Sequence, residues 1–108
     1  MLIVMAGLPG TGKSTIAARL AEKLGGLVLC KDVVRAKLFP VLDYSREQDD
    51  LTMEAIYARA WRILCTTDHD VIIDGRTFSK AYQVRDLFIA AKSMGLPYVG
   101  RFSSLEYR

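Results

Sequence analysis

The chain is predicted to be an α/β protein, a three-layer sandwich whose parallel sheet of about four strands lies between layers of helices. Three observations predict it. Short apolar runs alternate with longer segments of helical period. A glycine-rich turn stands between the first run and the first helix. Strands spaced by helices of this length need right-handed crossovers, which make neighbouring strands parallel and place helices on both faces. With 108 residues, 51% of them hydrophobic and 25% charged, the composition suits one globular unit spanning 1–108.

Leu2 to Ala6 reads as a buried strand, and Lys13 to Leu24 as a helix with Ile16, Ala17, Leu20, Ala21 and Leu24 on one face. Gly25 and Gly26 end that helix, and Leu27 to Cys30 form a second strand. Asp32 is placed to cap a brief helix that stops before Pro40. Ser45 and Gln48 have capping-box spacing ahead of a long helix whose face carries Met53, Ile56, Tyr57, Ala60, Ile63 and Leu64, with Trp61 near its edge. Val71 to Asp74 is the third strand. Ser79 is a cap for the next helix, striped by Val84, Leu87, Phe88 and Ala91 up to Gly95, and Pro97 admits a fourth strand through Phe102.

The apolar start Met1 to Ala6 lacks a basic leader and is too short for a signal or membrane segment, so a soluble, cytoplasmic protein with no membrane partner is expected. Cys30 and Cys65 match neither a zinc nor a redox spacing and read as two buried, reduced thiols. The net charge of +3 comes from scattered Lys and Arg, which describes a solvated surface as well as an attraction for an anionic substrate or nucleic acid.

Gly7, Leu8, Pro9, Gly10, Thr11, Gly12, Lys13 and Ser14 satisfy the P-loop pattern, in the strand–turn–helix setting that its mechanism needs. Glycines let successive backbone N–H groups turn inward around phosphate oxygens, and the helix N-terminus adds its positive field. The expected ligand is ATP with Mg2+. Lys13 would reach the β- and γ-phosphates, Ser14 would ligate the metal, and Thr15 follows as a helix residue at the edge of the nucleotide site.

Asp74, at the end of an apolar strand, fits a Walker-B aspartate that orients the metal or its waters; Asp74-Gly75 also reads as a plain turn. Gly75 stands where motor ATPases place a water-activating glutamate, and the chain has no Asn-Lys-x-Asp segment for guanine, so a motor and a GTP switch are both disfavoured. Asp32, on the rim that follows the second strand, suits a base that takes a proton from an acceptor hydroxyl, with Arg35 as a cationic clamp. Spacing alone leaves a second reading equally open, with Asp32 as a helix cap and Arg35 solvated. Arg76, Thr77 and Lys80 are weaker acceptor-side candidates, and His69 is assigned no role.

With these residues placed, the chain resembles the small P-loop kinases that include polynucleotide 5'-kinase, zeta toxins and chloramphenicol phosphotransferase, a group described as AAA-domain kinases. The likeness rests on GLPGTGKST, on Asp32-x-x-Arg35 within CKDVVRAKLF, and on VIIDGRTFSK leading into a helix with Arg85. It implies that Asp32 is the acceptor-hydroxyl base, that Arg35 contacts substrate, and that Asp74 supports magnesium. It also implies that the third strand lies beside the first. Lys31 departs from the group, which commonly has a small or polar residue there. Relatives continue into an arginine-bearing lid and a fifth strand, whereas this sequence stops after the fourth, so catalysis is expected to be weak or absent without them. The leading expectation is a kinase acting on a hydroxyl of a small molecule or a nucleic-acid end. A lidless ATP-binding module or pseudokinase, and a slow ATPase, stand beside it.

Overall fold

The computed structural model describes residues 1–6, 13–75, 80–95 and 100–103. Its elements, in chain order, are β1 (Leu2–Ala6), α1 (Lys13–Leu24), β2 (Leu27–Cys30), α2 (Lys31–Leu38), α3 (Arg46–Thr66), β3 (Val71–Asp74), α4 (Ala81–Ser93) and β4 (Gly100–Ser103). The four strands form one parallel sheet in the order β2-β3-β1-β4, with Leu2 opposite Val71, Ile3 opposite Gly100 and Cys30 opposite Asp74. The third strand does lie beside the first.

The pleat divides β1 between two cores, which is why it is apolar at every position. Leu2, Val4 and Ala6 join Val71, Ile73 and Leu29 on the face covered by α3 and α4, where Met53, Ile56, Ala60 and Leu87 pack. Ile3, Met5 and Ile72 face the other way, against Ala17 of α1 with Ile16, Leu20 and Ala21 at its margin. The helix after β1 and the helix after β3 therefore leave these adjacent strands toward opposite faces. That makes the carboxyl edge between β1 and β3 the switch point of the sheet, where open α/β folds form their ligand crevice.

Local chemistry sets the element ends. Gly25 at φ 66° closes α1 in the left-handed region that glycine enters without a Cβ clash. The Ser45 side chain accepts the Gln48 N–H at 3.1 Å and caps α3. The other half of the expected capping box is not made. Gln48 is buried, and its amide instead accepts the Asp43 N–H at 3.4 Å and donates to the Val41 carbonyl at 3.1 Å, which braces the α2–α3 connection.

Several expectations are corrected. The cap position of α2 is Cys30, and Asp32 lies inside the first turn, where a carboxylate favours the positive helix end without capping it. Leu24 and Phe88, expected on the buried stripes of their helices, are exposed. Trp61 is likewise largely exposed. Cys65 is exposed on α3 and Cys30 half-buried, so the thiols are free but not both buried. At α4 the cap position belongs to Lys80, and Ser79 is outside the described residues. Among the described residues no helix is long and apolar enough to cross a membrane.

Candidate functional site

Along the carboxyl edge of the sheet, the order β2-β3-β1 lines up the start of α2, the end of β3 and the start of α1. Ser14, in the first turn of α1, donates its Oγ–H to Oδ2 of Asp74 at 2.8 Å. Asp74 closes β3 and is only 4% exposed. A hydroxyl and a carboxylate separated by 60 residues thus meet at the switch point. Both are hard oxygen donors, which is the chemistry that Mg2+ prefers. Among the described residues no three His, Cys, Asp or Glu gather into a metal cage. A magnesium ion on Ser14 and Asp74 would therefore complete its shell with water and phosphate oxygens, its habitual ligands in nucleotide sites.

Lys13 opens α1 and Thr15 is exposed on it. The remaining loop residues expected to cradle phosphate, Gly7, Leu8, Pro9, Gly10, Thr11 and Gly12, lie outside the described residues, as do Arg76 and Thr77. Lys80 is exposed at the start of α4. His69 is exposed, its Nδ1 2.8 Å from the Gly25 carbonyl oxygen, a tie between two loops.

On the β2 side stands a charged cluster that only part of the sequence pattern announces. The Asp32 side chain is 85% exposed, whereas that of Arg35 is 6% exposed, with Nη1 3.7 Å from Asp32 Oδ1. Arg35 is therefore not the solvated residue of the second reading. It is held by Asp49 on α3, whose Oδ1 accepts from Arg35 Nη2 at 3.1 Å and from Lys31 Nζ at 2.6 Å. The Tyr44 ring, on backbone at φ 55°, lies 5.1 Å from the Arg35 guanidinium. Buried Arg35 Nε has no hydrogen-bond partner among the described residues. The stem of Lys31 lies against Gly75, where a Cβ would overlap it. Lys31, singled out above only as a departure, thus ties α2 to α3 beside the residue that follows Asp74. Asp49 and Tyr44 carry no signal in the sequence, since no motif links them to Asp32 or Arg35.

A model of the AAA domain matches residues 2–100 of the chain. An uncharacterised protein of Mycobacterium tuberculosis is 38% identical over 68% of this chain, and the chain spans 17% of that relative's length. Among solved structures, a candidate kinase of Chloroflexus aurantiacus superposes with a TM-score of 0.75 at 22% identity, over 94% of this chain and 56% of its own. The APS kinase CysC of Mycobacterium tuberculosis gives 0.67 at 20%, over 94% and 72%. At such identities the structural likeness is one of fold. The chain belongs to the AAA-domain family, and its fold is that of the P-loop kinase group.

Proposed function

We propose that residues 1–108 act as one nucleotide-binding unit that takes ATP with magnesium and transfers the γ-phosphoryl group to a hydroxyl of a small molecule or a nucleic-acid end. The observation that carries this reading is the 2.8 Å bond between Ser14 and Asp74, which joins the two residues a P-loop site uses for its metal. When bound, magnesium would neutralise charge on the β- and γ-phosphates. Lys13 serves the same phosphates as a cation, with the loop from Gly7 to Gly12 as their cradle.

Asp32 is the base. Its exposed carboxylate is open to a solute on the rim that carries the P-loop, and Arg35 holds it from a buried anchor. The acceptor hydroxyl gives its proton to Asp32 as its oxygen attacks the γ-phosphorus, and the bond from that phosphorus to the β–γ bridging oxygen breaks to leave ADP. The neighbours support the reading by name only, as an APS kinase and a gluconokinase. Free thiols and the use of ATP suit the cytoplasm.

The test is Asp32→Asn assayed with Mg-ATP against a panel of hydroxyl acceptors. Retained ATP binding with transfer lowered by about 10²- to 10⁴-fold is expected for loss of a general base. Wild-type protein that binds ATP but transfers to no acceptor would favour the binding module.

A further inference from the structure

An acidic acceptor arriving beside Asp32 would need a cation to meet it, and Arg35 is the nearest in the helix. Its guanidinium is already engaged. Nη1 lies 3.7 Å from Asp32 Oδ1, Nη2 donates to Asp49 Oδ1 at 3.1 Å, and the Tyr44 ring lies 5.1 Å from the guanidinium carbon. Nε is buried, and the side chain as a whole is 6% exposed, so a solute reaches little of it. Lys31 is committed in the same way. Its Nζ donates to the same Asp49 oxygen at 2.6 Å, and its stem lies against Gly75.

Among the described residues, three carboxylates attend these two cations. Asp32 is the open one, at 85% side-chain exposure. Asp49 takes up both cations from α3. Asp43, whose carboxyl is lowered first by the Ser45 backbone N–H, is lowered further by the charge of Arg35 and so lies within its field. A solute that reaches Asp32 from this side therefore meets a carboxylate, with the cations behind it already shared. We propose that the acceptor carries no negative charge beside the hydroxyl that is phosphorylated, and that Asp49 sets this preference by engaging Lys31 and Arg35. An uncharged polyol or nucleoside is then favoured over its carboxylated or phosphorylated form, an inference that rests on the transfer reading above. A like charge about 6 Å from Asp32, at a dielectric between those of water and protein, costs on the order of 10-fold in affinity.

The experiment uses the full chain with Mg-ATP and two matched acceptor pairs, sorbitol with gluconate and a nucleoside with its 3'-phosphate. The members of each pair share a primary hydroxyl and differ in charge. Both are compared by kcat/KM on one protein sample, so their ratio is independent of the folded fraction and a destabilised variant is still read. The wild type is expected to favour the uncharged member by about 10-fold. Asp49→Asn, which leaves two cations without their shared carboxylate, should raise the relative kcat/KM of the charged member by about 10-fold, and added salt should shrink that change. Lys31→Met removes a cation and should move the ratio the opposite way. A wild type that prefers the charged member, a ratio unmoved by Asp49→Asn, or both substitutions moving it in one direction would overturn the inference and leave the transfer reading standing. Transfer to none of the four acceptors, with ATP still bound, would overturn both.

Discussion

A methyl group at Gly75 has no space, because the side chain of Lys31 already fills it. Gly75→Ala should therefore destabilise the fold by about 1–3 kcal/mol through overpacking, and the same substitution should cost much less on a Lys31→Gly background, because the nearest atom it would meet is the Lys31 Cβ. Urea unfolding midpoints of the two single variants and the double variant check this; independent, additive losses would refute the contact. Asp49→Ala should cost about 3–5 kcal/mol, since it removes the shared acceptor of two cations whose side chains are 6% and 15% exposed. The meeting of Ser14 with Asp74 was legible through the resemblance, which put the third strand beside the first and so the end of that strand beside the start of α1. Asp49 was not legible. Its partners lie 14 and 18 residues away on another helix, and only the packing of α2 on α3 brings them together.

The elements were more readable than their faces. The bounds of β1, α1, β2 and β3 agree with the apolar runs and their glycine breaks, since a buried parallel strand must be apolar at nearly every position. What periodicity could not supply was which edge of an apolar stripe packing leaves open: Phe88 is exposed beside buried Leu87, and Leu24 is exposed at the end of α1. The start of α3 shows how a short segment divides its polar work. Ser45→Ala should cost about 1 kcal/mol in chemical denaturation, the usual worth of a side-chain cap. Just before it, the Ser45 backbone N–H at 2.9 Å, then the Ser45 hydroxyl, hold the Asp43 carboxyl below its ordinary value of 3.8. A carboxyl lowered by folding adds stability above its unfolded pKa and loses it as the pH falls through the folded one. Asp43→Asn should accordingly be less stable than the wild type at neutral pH and converge with it as the pH falls below about 4, as unfolding curves over that range would reveal.

At the scale of the molecule, the Ser14–Asp74 bond joins distant parts of the chain at the switch point between β1 and β3, so under the proposed function ligand binding and folding are one equilibrium. Mg-ATP at 100 times its dissociation constant should add about 2.7 kcal/mol, or roughly 10–20 °C in Tm for a domain near this size. Lys13→Ala should abolish most of the rise in a thermal titration, and no rise in folded wild-type protein would remove the nucleotide assignment. That the third strand lies beside the first was foreseen from a resemblance and not from any local pattern, since nothing in a short apolar run states which neighbour it will pair with. That order also sets a timetable for synthesis. β3 is hydrogen-bonded to both β1 and β2, so the first and second strands have no partner in each other, and Leu2 must wait for Val71. On a ribosome adding about 5–20 residues each second, the most apolar segment of the chain stays unmatched for several seconds at least. During that interval it is open to chaperones and to the β3 of another copy, and the Ser14–Asp74 pair does not exist until Asp74 has emerged.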